Sequence, residues 1–411
     1  MKPRAARWPL VIAITASVAA ASGQSQNPPA SGQLSLTAAI ERALAANPEI
    51  AAARLQRPID AAGVAVAAQR PNPEIVYEAS RETPRQAIGG TLPIELGGKR
   101  ARRIELANAT FAVGEADLAR VVAEIRNDVR RAYYEVVAAD SLVQIADDVR
   151  SLAQRARDAA KARVDAGDVP QSDLTQADLV LANSEIDLAG ARGEAAATRA
   201  DLNALLGQNA DTPLTLSDSM SAGRLPTAAE ALAQATSVNG GLQVLDRRIA
   251  EQTVRVALTR TLKTPDLAAG SAFVYDADPE FRFGWRVSFG VTLPLFTTHK
   301  AEVTVEEMAL AKLRAERTAI LVRMNGAIGA ALARATAAAD RMTRYESTIL
   351  PLAREAERQA QAAYNGGQTG LPALVQALQL ARETRQRGLD AGLDYQRALA
   401  DLERAIGAAI K

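Results

Sequence analysis

The 411-residue sequence predicts a mainly α-helical chain with a membrane β part, built from two copies of one plan. Apolar and polar or small residues alternate strictly from Phe283 to Phe296, which predicts a strand long enough to cross a membrane. No proline occurs from Lys99 to Ala166, which predicts a helix on the order of 100 Å long. The block Thr91–Ile94 recurs as Thr292–Leu295, 201 positions later. The chain is therefore interpreted as an internal duplication.

Composition excludes several classes of function. Lys and Arg number 48 against 47 Asp and Glu, so no net field favours nucleic acid. The chain has no Cys and a single histidine, His299, which argues against thiolate or histidine metal sites and a His-based catalytic triad. We expect no enzyme activity and no cofactor. His299 lies where strand gives way to helix, and a surface or interfacial role fits it better than metal ligation.

The first residues resemble a targeting segment. Residues 1–21 combine Lys2, Arg4 and Arg7 with a short apolar run that ends in small residues, which is typical of a secretory signal peptide. An uncleaved anchor is the alternative, although the apolar run is short for a membrane span. Residues 22–33 are rich in Pro, Ser, Gly and Gln and are expected to be disordered.

Each half of the remaining chain is predicted to contain a helix, a β-hairpin, a long helix and a returning helix. In the first repeat, residues 34–207, the hairpin spans 73–97, the long helix 99–166 and the returning helix 171–206. Residues 208–226 form a linker. In the second repeat, residues 227–411, the hairpin spans 270–297, the long helix 299–365 and the returning helix 371–410. Pro351 lies inside that second long helix and is expected to kink it.

The four strands predict an assembly. Aromatic residues make up only 4% of the chain, yet several crowd into the second hairpin, which fits the aromatic girdles of a lipid-facing strand pair. A long hairpin in a soluble domain is the alternative. Four strands cannot close a barrel, and open sheet edges are not tolerated in lipid. Three copies would give a twelve-stranded barrel that continues as an α-helical coiled-coil barrel. Arg286, on the polar side of its strand, is expected to line the lumen.

Several blocks resemble the outer membrane efflux protein (TolC-type) family. The opening block Leu34–Glu49 resembles the family's N-terminal block. The strand-to-helix passage Leu92–Arg100, with Arg103 and Ile104, resembles the heavy-metal and cation branch (CzcC-type), and Arg131–Tyr134 fits the long-helix pattern. The resemblance covers about Leu34 to the C-terminus. It implies a homotrimeric duct in the outer-membrane lipid, docked to a periplasmic adaptor and an inner-membrane RND-type pump.

The same resemblance implies positions for a gate and for docking. It places the periplasmic gate on the returning helices just past the helical breaks, at Asp173, Gln176 and Gln376. Asp173 either contributes to a cation-attracting ring or is a plain helix N-terminal residue favoured by the helix dipole. Ala373 and Gln376 stand where some relatives carry carboxylates, which puts a strong acidic ring in doubt. The tips expected to meet the adaptor are Gly167, Asp168, Val169, Pro170, Gly367, Gln368, Thr369, Gly370 and Leu371.

The function that the resemblance implies is a passive efflux channel, with divalent heavy-metal cations as the expected cargo. Multidrug efflux or type I protein secretion on the same scaffold is the alternative. A periplasmic coiled-coil adaptor is a more remote one, because adaptors usually carry a single helical hairpin and no duplicated long-strand hairpins.

Overall fold

The computed structural model describes residues 33–410. The predicted signal segment, residues 1–21, and residues 22–32 of the predicted disordered segment lie outside this range. The strands are β1 (Glu74–Ala79), β2 (Gln86–Ile94), β3 (Asp266–Ala277) and β4 (Phe281–Thr292). The helices are α1 (Leu36–Ala46), α2 (Pro48–Arg54), α3 (Gln56–Ala67), α4 (Lys99–Asp165), α5 (Gln171–Leu205), α6 (Ala228–Val238), α7 (Gly240–Thr261), α8 (Lys300–Arg344), α9 (Leu350–Asn365) and α10 (Leu371–Ile406).

The four strands form one antiparallel sheet in the order β1-β2-β3-β4. Each hairpin pairs its own strands, and β2 pairs β3 to join the two repeats, with Ile88 opposite Phe273. β1 and β4 are the edges of the sheet. One chain therefore carries a four-stranded sheet whose two edges belong to different repeats.

The second hairpin differs from its predicted limits. β3 begins at Asp266, four residues before the predicted start, and β4 ends at Thr292 rather than at Phe296. Thr292 pairs with Asp266, the first residue of β3, so the residues after Thr292 have no partner strand. Pro294 also lacks an N–H for a ladder. The alternating pattern of the sequence thus runs past the end of β4. The strand stops at Thr292 because β3, its pairing partner, begins opposite that residue.

Helices continue the sheet strand by strand. α3 leads into β1, β2 leads into α4, α7 leads into β3, and β4 leads into α8. Side by side these helices pack in the order α3-α4-α7-α8, which is the order of the strands they adjoin. At 1.5 Å per residue, the 67 residues of α4 span about 100 Å. The sheet and its helices therefore form a single layer.

The second long helix is interrupted upstream of Pro351. A five-residue π-helical turn, Tyr345–Ile349, separates α8 from α9. Pro351 has no N–H to donate to the carbonyl four residues back, that of Ser347, and the π-turn contains Ser347. The kink expected at the proline takes the form of this wider turn. α4, at the matching place in the first repeat, is one unbroken helix.

The equatorial belt consists of α1, α2, α6 and the segment 208–227, packed around the middle of α4 and the C-terminal half of α10. Each repeat has its own apolar core here, one around Ile50, Val129 and Tyr133, the other around Ile328 and Tyr395. The belt lies roughly midway between the sheet and the two helical tips at residues 166–170 and 366–370.

Candidate functional site

The two faces of the sheet differ in chemistry. In an antiparallel pair, directly opposite residues share a face, so the register sorts the side chains. Arg286 lies opposite Ala272, which lies opposite Gly89, which lies opposite Val76, and this row marks the small-residue face. Apart from Val76 and Val274, the large apolar side chains occupy the other face. They include Ile75, Tyr77, Ile88, Leu92, Ile94, Leu267, Phe273, Tyr275, Phe283, Trp285, Val287, Phe289 and Val291.

The small-residue face is crowded and the apolar face is open. A Cβ added to Gly89 would lie 2.6 Å from the Cβ of Ala272, and one added to Gly270 would lie 2.6 Å from Ser288 Oγ. A shallow cavity of about 190 Å³ covers this face and is lined partly by Glu78, Arg286 and Ser288. On the apolar face Trp285 is 72% exposed and Phe289 74%. The sheet therefore has a tight, polar side suited to water and an exposed greasy side suited to lipid.

The Leu92–Arg103 block that carries the family resemblance forms the junction between β2 and α4. Gly97 and Gly98 both have left-handed φ values, near +70°, and Gly98 is the residue that precedes α4. The Lys99 ammonium, largely buried, lies 2.7 Å from Asp266 Oδ2 at the start of β3. Arg103 pairs with Glu95 through two hydrogen bonds. These two ion pairs therefore tie the start of α4 to the sheet and to the segment that follows β2.

His299 occupies the same junction in the second repeat. It precedes α8 with φ +53°, where Gly98 precedes α4 with φ +73°. Its Nδ1 lies 3.2 Å from Glu302 Oε1, one turn into the helix. The structure thus gives His299 a role at a strand-to-helix junction, in line with the sequence interpretation.

Matching asparagines tie each repeat to the equatorial belt. The side chain of Asn47 accepts hydrogen bonds from the first turn of α2 and donates 2.9 Å to Leu205 O. Asn239 caps α7 in the same way and donates 3.1 Å to Ala405 O. No local pattern in the sequence signals that each asparagine joins its helix cap to a returning helix.

Charged residues join α4 to α10 across the belt. The Arg130 guanidinium lies 2.8 Å from Glu403 Oε1, with side chains 14% and 3% exposed. Burial raises the pKa of the Glu403 carboxyl, and the neighbouring Arg130 offsets only part of this rise. Further α4–α10 ion pairs flank it, namely Asp128 with Arg404, Glu135 with Arg397, and Arg131 with Asp401. No local pattern in the sequence signals these pairs, because the partners are more than 250 positions apart.

The two predicted tips have the same backbone geometry. At the first, the N–H of Gly167 donates to Val164 O and that of Asp168 to Arg163 O, the paired bonds of a glycine-terminated helix. At the second, Gly367 donates to Tyr364 O and Gln368 to Ala363 O. Gly167 and Gly367 have φ values of +78° and +70°. Most tip residues are exposed, whereas Val169 and Thr369 are half-buried.

Leu371 differs from the other tip residues because it is buried. Its side chain is 1% exposed and packs in an apolar cluster with Tyr364, Leu374 and Ala160. That cluster joins the two helical hairpins, since Ala160 belongs to α4 and the others to α9 and α10. The Arg163 guanidinium also lies 5.7 Å from the centre of the Tyr364 ring. The structure therefore places Leu371 between the hairpins and leaves most of the other tip residues exposed to solvent.

The predicted gate residues lie within the first two turns of the returning helices. Asp173 is half-buried in the first turn of α5, and its N–H donates to Pro170 O. Gln176 and Gln376 are exposed on α5 and α10. Between α5 and α10, Arg382 Nη1 lies 2.5 Å from Asp187 Oδ2. Within one chain, the first turns of α5 and α10 thus lie beside the apolar cluster around Leu371.

Two features are absent from residues 33–410, the part of the chain that the structure describes. None of the helices between residues 33 and 410 has the length and apolar character that a membrane crossing requires. Over the same residues, no group of three or more Asp, Glu or His is placed to hold a metal ion.

Comparison with protein families and curated proteins gives two matches. The profile of the outer membrane efflux protein family matches residues 39–208. The cobalt-zinc-cadmium resistance protein CzcC of Cupriavidus metallidurans is 27% identical over 384 residues, which cover 92% of this chain and 91% of that protein. The similarity to CzcC extends over both repeats.

Solved structures of outer-membrane channels share the fold. CusC, studied for its folding and transmembrane channel formation, superimposes with a TM-score of 0.75 at 16% identity, covering 91% of this chain and 92% of that one. The open state of the MtrE outer-membrane channel of Neisseria gonorrhoeae gives a TM-score of 0.74 at 17% identity, over 92% and 89% of the two chains. The predicted fold class, mainly helical with a four-stranded antiparallel sheet, is confirmed.

Proposed function

We infer that this chain, a member of the outer membrane efflux protein family, is the outer-membrane channel subunit of a tripartite efflux system. The observation that carries this conclusion is the sheet, which has one greasy face, one small and polar face, and two free edges. It continues strand by strand into helices long enough to reach far into the periplasm. Such a duct is passive, so the chain needs no reaction centre.

The free edges support a homotrimer. Each unpaired backbone group in the hydrocarbon region costs several kcal/mol, so β1 and β4 require partners. Closing a sheet into a barrel takes about eight strands or more. Three copies supply twelve strands, and the duplicated plan makes the resulting tube close to six-fold symmetric. The helices that follow the strands then close into an α-helical barrel in the same order.

We assign each repeat a membrane part, a belt and a helical hairpin, with domain limits at residues 34–207 and 227–411. The exposed tip residues, Gly167 to Pro170 and Gly367 to Gly370, are proposed to meet the adaptor. Leu371 is proposed to support its tip from within, because it is buried between the hairpins. Energy for transport comes from the RND-type pump that the adaptor connects to the duct.

The gate is proposed to lie at the first turns of α5 and α10. Three copies of Asp173 would give a ring of carboxylates that attracts cations, while Gln176 and Gln376 add neutral amides. Opening would separate the two hairpins, which are held by the apolar cluster around Leu371 and by the Arg382–Asp187 pair. Docking at the tips acts on the helices that carry these contacts.

The proposed cargo is a divalent heavy-metal cation. The support is the similarity to a cobalt-zinc-cadmium resistance protein over most of both chains. Drug efflux or protein secretion would use the same scaffold, so the cargo must be tested directly. The similarity to outer-membrane efflux proteins and channels argues against a periplasmic coiled-coil adaptor.

The test is complementation of a strain that lacks this chain. We expect the deletion to raise intracellular zinc, cobalt or cadmium, and the unaltered chain to restore the lower level. A Gly167→Val/Gly367→Val variant, strained at both left-handed tip positions, should reach the outer membrane but fail to restore export. Unchanged metal content together with lost dye or drug export would move the cargo to the drug class.

A further inference from the structure

Basic residues mark all four junctions between the sheet and its helices. One cation lies at each junction, a few residues from the end of a strand, and the four are Arg70 between α3 and β1, Arg100 in the first turn of α4, Lys263 between α7 and β3, and Lys300 at the start of α8. Arg100 is half-buried and the other three are exposed. Together they form one band where the sheet gives way to the helices, which we call the basic collar.

Most other charged residues at these junctions are already in contact with a partner. The contacts are Lys99 with Asp266, Arg102 with Glu105, Arg103 with Glu95, and His299 with Glu302. Over residues 33–410, the four collar residues take part in none of the ion pairs. Glu74, a further carboxylate at this level, lies opposite Thr91 on the small-residue face of the sheet. The collar residues are therefore available to an anion from outside the chain.

Two of the collar residues are held close together. Arg100 Nε donates 2.7 Å to Ala68 O, and Arg103 Nη2 donates 3.2 Å to Gln69 O. Arg70 directly follows these two residues in the chain, so its backbone lies beside Arg100. Two adjacent guanidinium groups suit a phosphate, which offers several acceptor oxygens to their forked donors.

Helix stability does not account for the cations at the start of α4. Its first turn has no acidic residue and contains Lys99, Arg100 and Arg102, although the positive end of the helix dipole lies there. Lys300 likewise occupies the first position of α8. These positions favour negative side chains in an isolated helix, so the basic residues point to a partner outside the helices.

Exposed apolar residues adjoin the collar on the side of the sheet. Leu293, Leu295 and Phe296 follow β4 and are 56%, 71% and 100% exposed, and Lys300 comes four residues after Phe296. Lys and Arg at the edge of a hydrocarbon region lay their stems along apolar surface and extend their charges to the headgroups. The collar thus lies where the proposed membrane part meets water, on the side of the helices.

We propose that the basic collar binds the phosphate groups of anionic phospholipids in the membrane leaflet on the side of the helices. The proposal rests on the outer-membrane channel proposed above and assigns the class of lipid that holds it at its depth. The junction segments 69–74, 95–105, 262–266 and 297–302 contain seven Lys and Arg against five Asp and Glu. The hairpin turns, residues 78–86 and 275–283, contain three against five. Anionic lipid is therefore expected at one end of the sheet only.

Lipid binding to the detergent-purified protein, measured by native mass spectrometry, tests the collar. The probes are phosphatidylglycerol, which is anionic, and phosphatidylcholine, which is zwitterionic. We expect the unaltered protein to retain phosphatidylglycerol in preference. Lys263→Gln/Lys300→Gln should weaken phosphatidylglycerol binding about fivefold for each charge removed at low salt. Lys263→Arg/Lys300→Arg, which keeps both charges, should retain the preference, and its loss there would contradict an electrostatic contact.

The matched control is Arg81→Gln/Arg282→Gln, which removes two exposed cations from the hairpin turns. It should leave phosphatidylglycerol binding unchanged. Equal binding of the two lipids by the unaltered protein, or an equal loss in the control, would overturn the collar and leave the channel intact. Displacement of the lipid by inorganic phosphate at matched ionic strength would assign the collar to free anions and would also overturn the proposal. A protein that does not insert into lipid vesicles at all would contradict the channel itself.

Discussion

The equatorial belt and the membrane sheet differ in where their apolar side chains and polar groups find partners. In the belt, Arg130 meets Glu403, the two asparagines cap and tie their helices, and each apolar core is closed within one chain. In the sheet, Phe283, Trp285 and Phe289 are each more than half exposed, and both edge strands are open. The belt is complete in a single copy, whereas in the proposed channel the sheet is completed by lipid and by other copies. Substitutions in the belt should therefore act on folding, and those in the sheet on insertion and assembly.

The largest effect is expected from Arg130→Met. Removing one partner of a buried ion pair leaves the Glu403 carboxylate unpaired, which costs about 3–5 kcal/mol of unfolding free energy near neutral pH. Denaturant unfolding, followed by circular dichroism, measures this loss. The double variant Arg130→Met/Glu403→Met should be distinctly more stable than the single one. If the single variant were as stable as the parent, the belt ion pair would not be needed for the stability of the folded chain.

The pH dependence of the same variant sharpens the test. Burial already raises the folded-state pKa of Glu403, and loss of Arg130 removes a group that lowers it. An acid with a raised folded-state pKa destabilises the fold while ionised, and the penalty disappears as pH falls through that pKa. The Arg130→Met variant should therefore regain part of its stability on mild acidification. The double variant, which has no carboxyl there, should show no such gain.

The next largest effect concerns the two faces of the sheet. Phe289→Lys places a charge on the greasy face and should cost about 2–4 kcal/mol of membrane stability if Phe289 lies near the bilayer midplane. Ser288→Lys, its neighbour on the other face, should be tolerated and should alter only ion selectivity. Folding into lipid vesicles, titrated with urea, compares the two. Equal losses would contradict the assignment of the faces.

A smaller effect is expected at the paired asparagines. Asn47→Ala and Asn239→Ala each remove a helix cap and a tie to a returning helix, at a cost of about 1–2 kcal/mol. Because the geometry is duplicated, the two losses should be similar and should add. Thermal unfolding of both single variants and the double variant checks this. A loss of stability in only one of the two single variants would show that the matching asparagines do not contribute equally to stability.

The smallest effect is expected at Asp173. Asp173→Asn removes three charges from the assembled ring, which should lower the preference for cations over anions without changing stability or assembly. Single-channel recording in planar bilayers measures the reversal potential. Gln376→Asp is the opposite change. It adds a carboxylate at the corresponding turn of the second repeat and should raise the preference for cations. Unaltered selectivity in both variants would leave Asp173 as a helix N-terminal residue.

Much of this architecture is readable from the sequence because its signals are local. Strict alternation around Trp285 gives the faces of the sheet, and a proline-free stretch gives α4. Glycines at 167 and 367 mark the helix ends because a left-handed residue is needed there. The family resemblance adds assembly and function, which periodicity alone does not contain.

The remaining features depend on partners distant in sequence. β4 ends at Thr292 because β3 begins opposite it, although the alternating pattern runs on to Phe296. Leu371 is buried because the second hairpin packs on α4, and nothing near Leu371 in the sequence specifies that contact. Glu403 finds Arg130 273 positions away. The proposed pore-facing position of Asp173 depends on how the copies assemble, so neither the sequence nor one chain determines it.

The most direct measurement is an electron-microscopy image of the mature protein purified in detergent. The account predicts a three-fold tube about 100 Å or more long, with a band of detergent around the end formed by the sheet. A monodisperse single subunit that stays dissolved without detergent would contradict it.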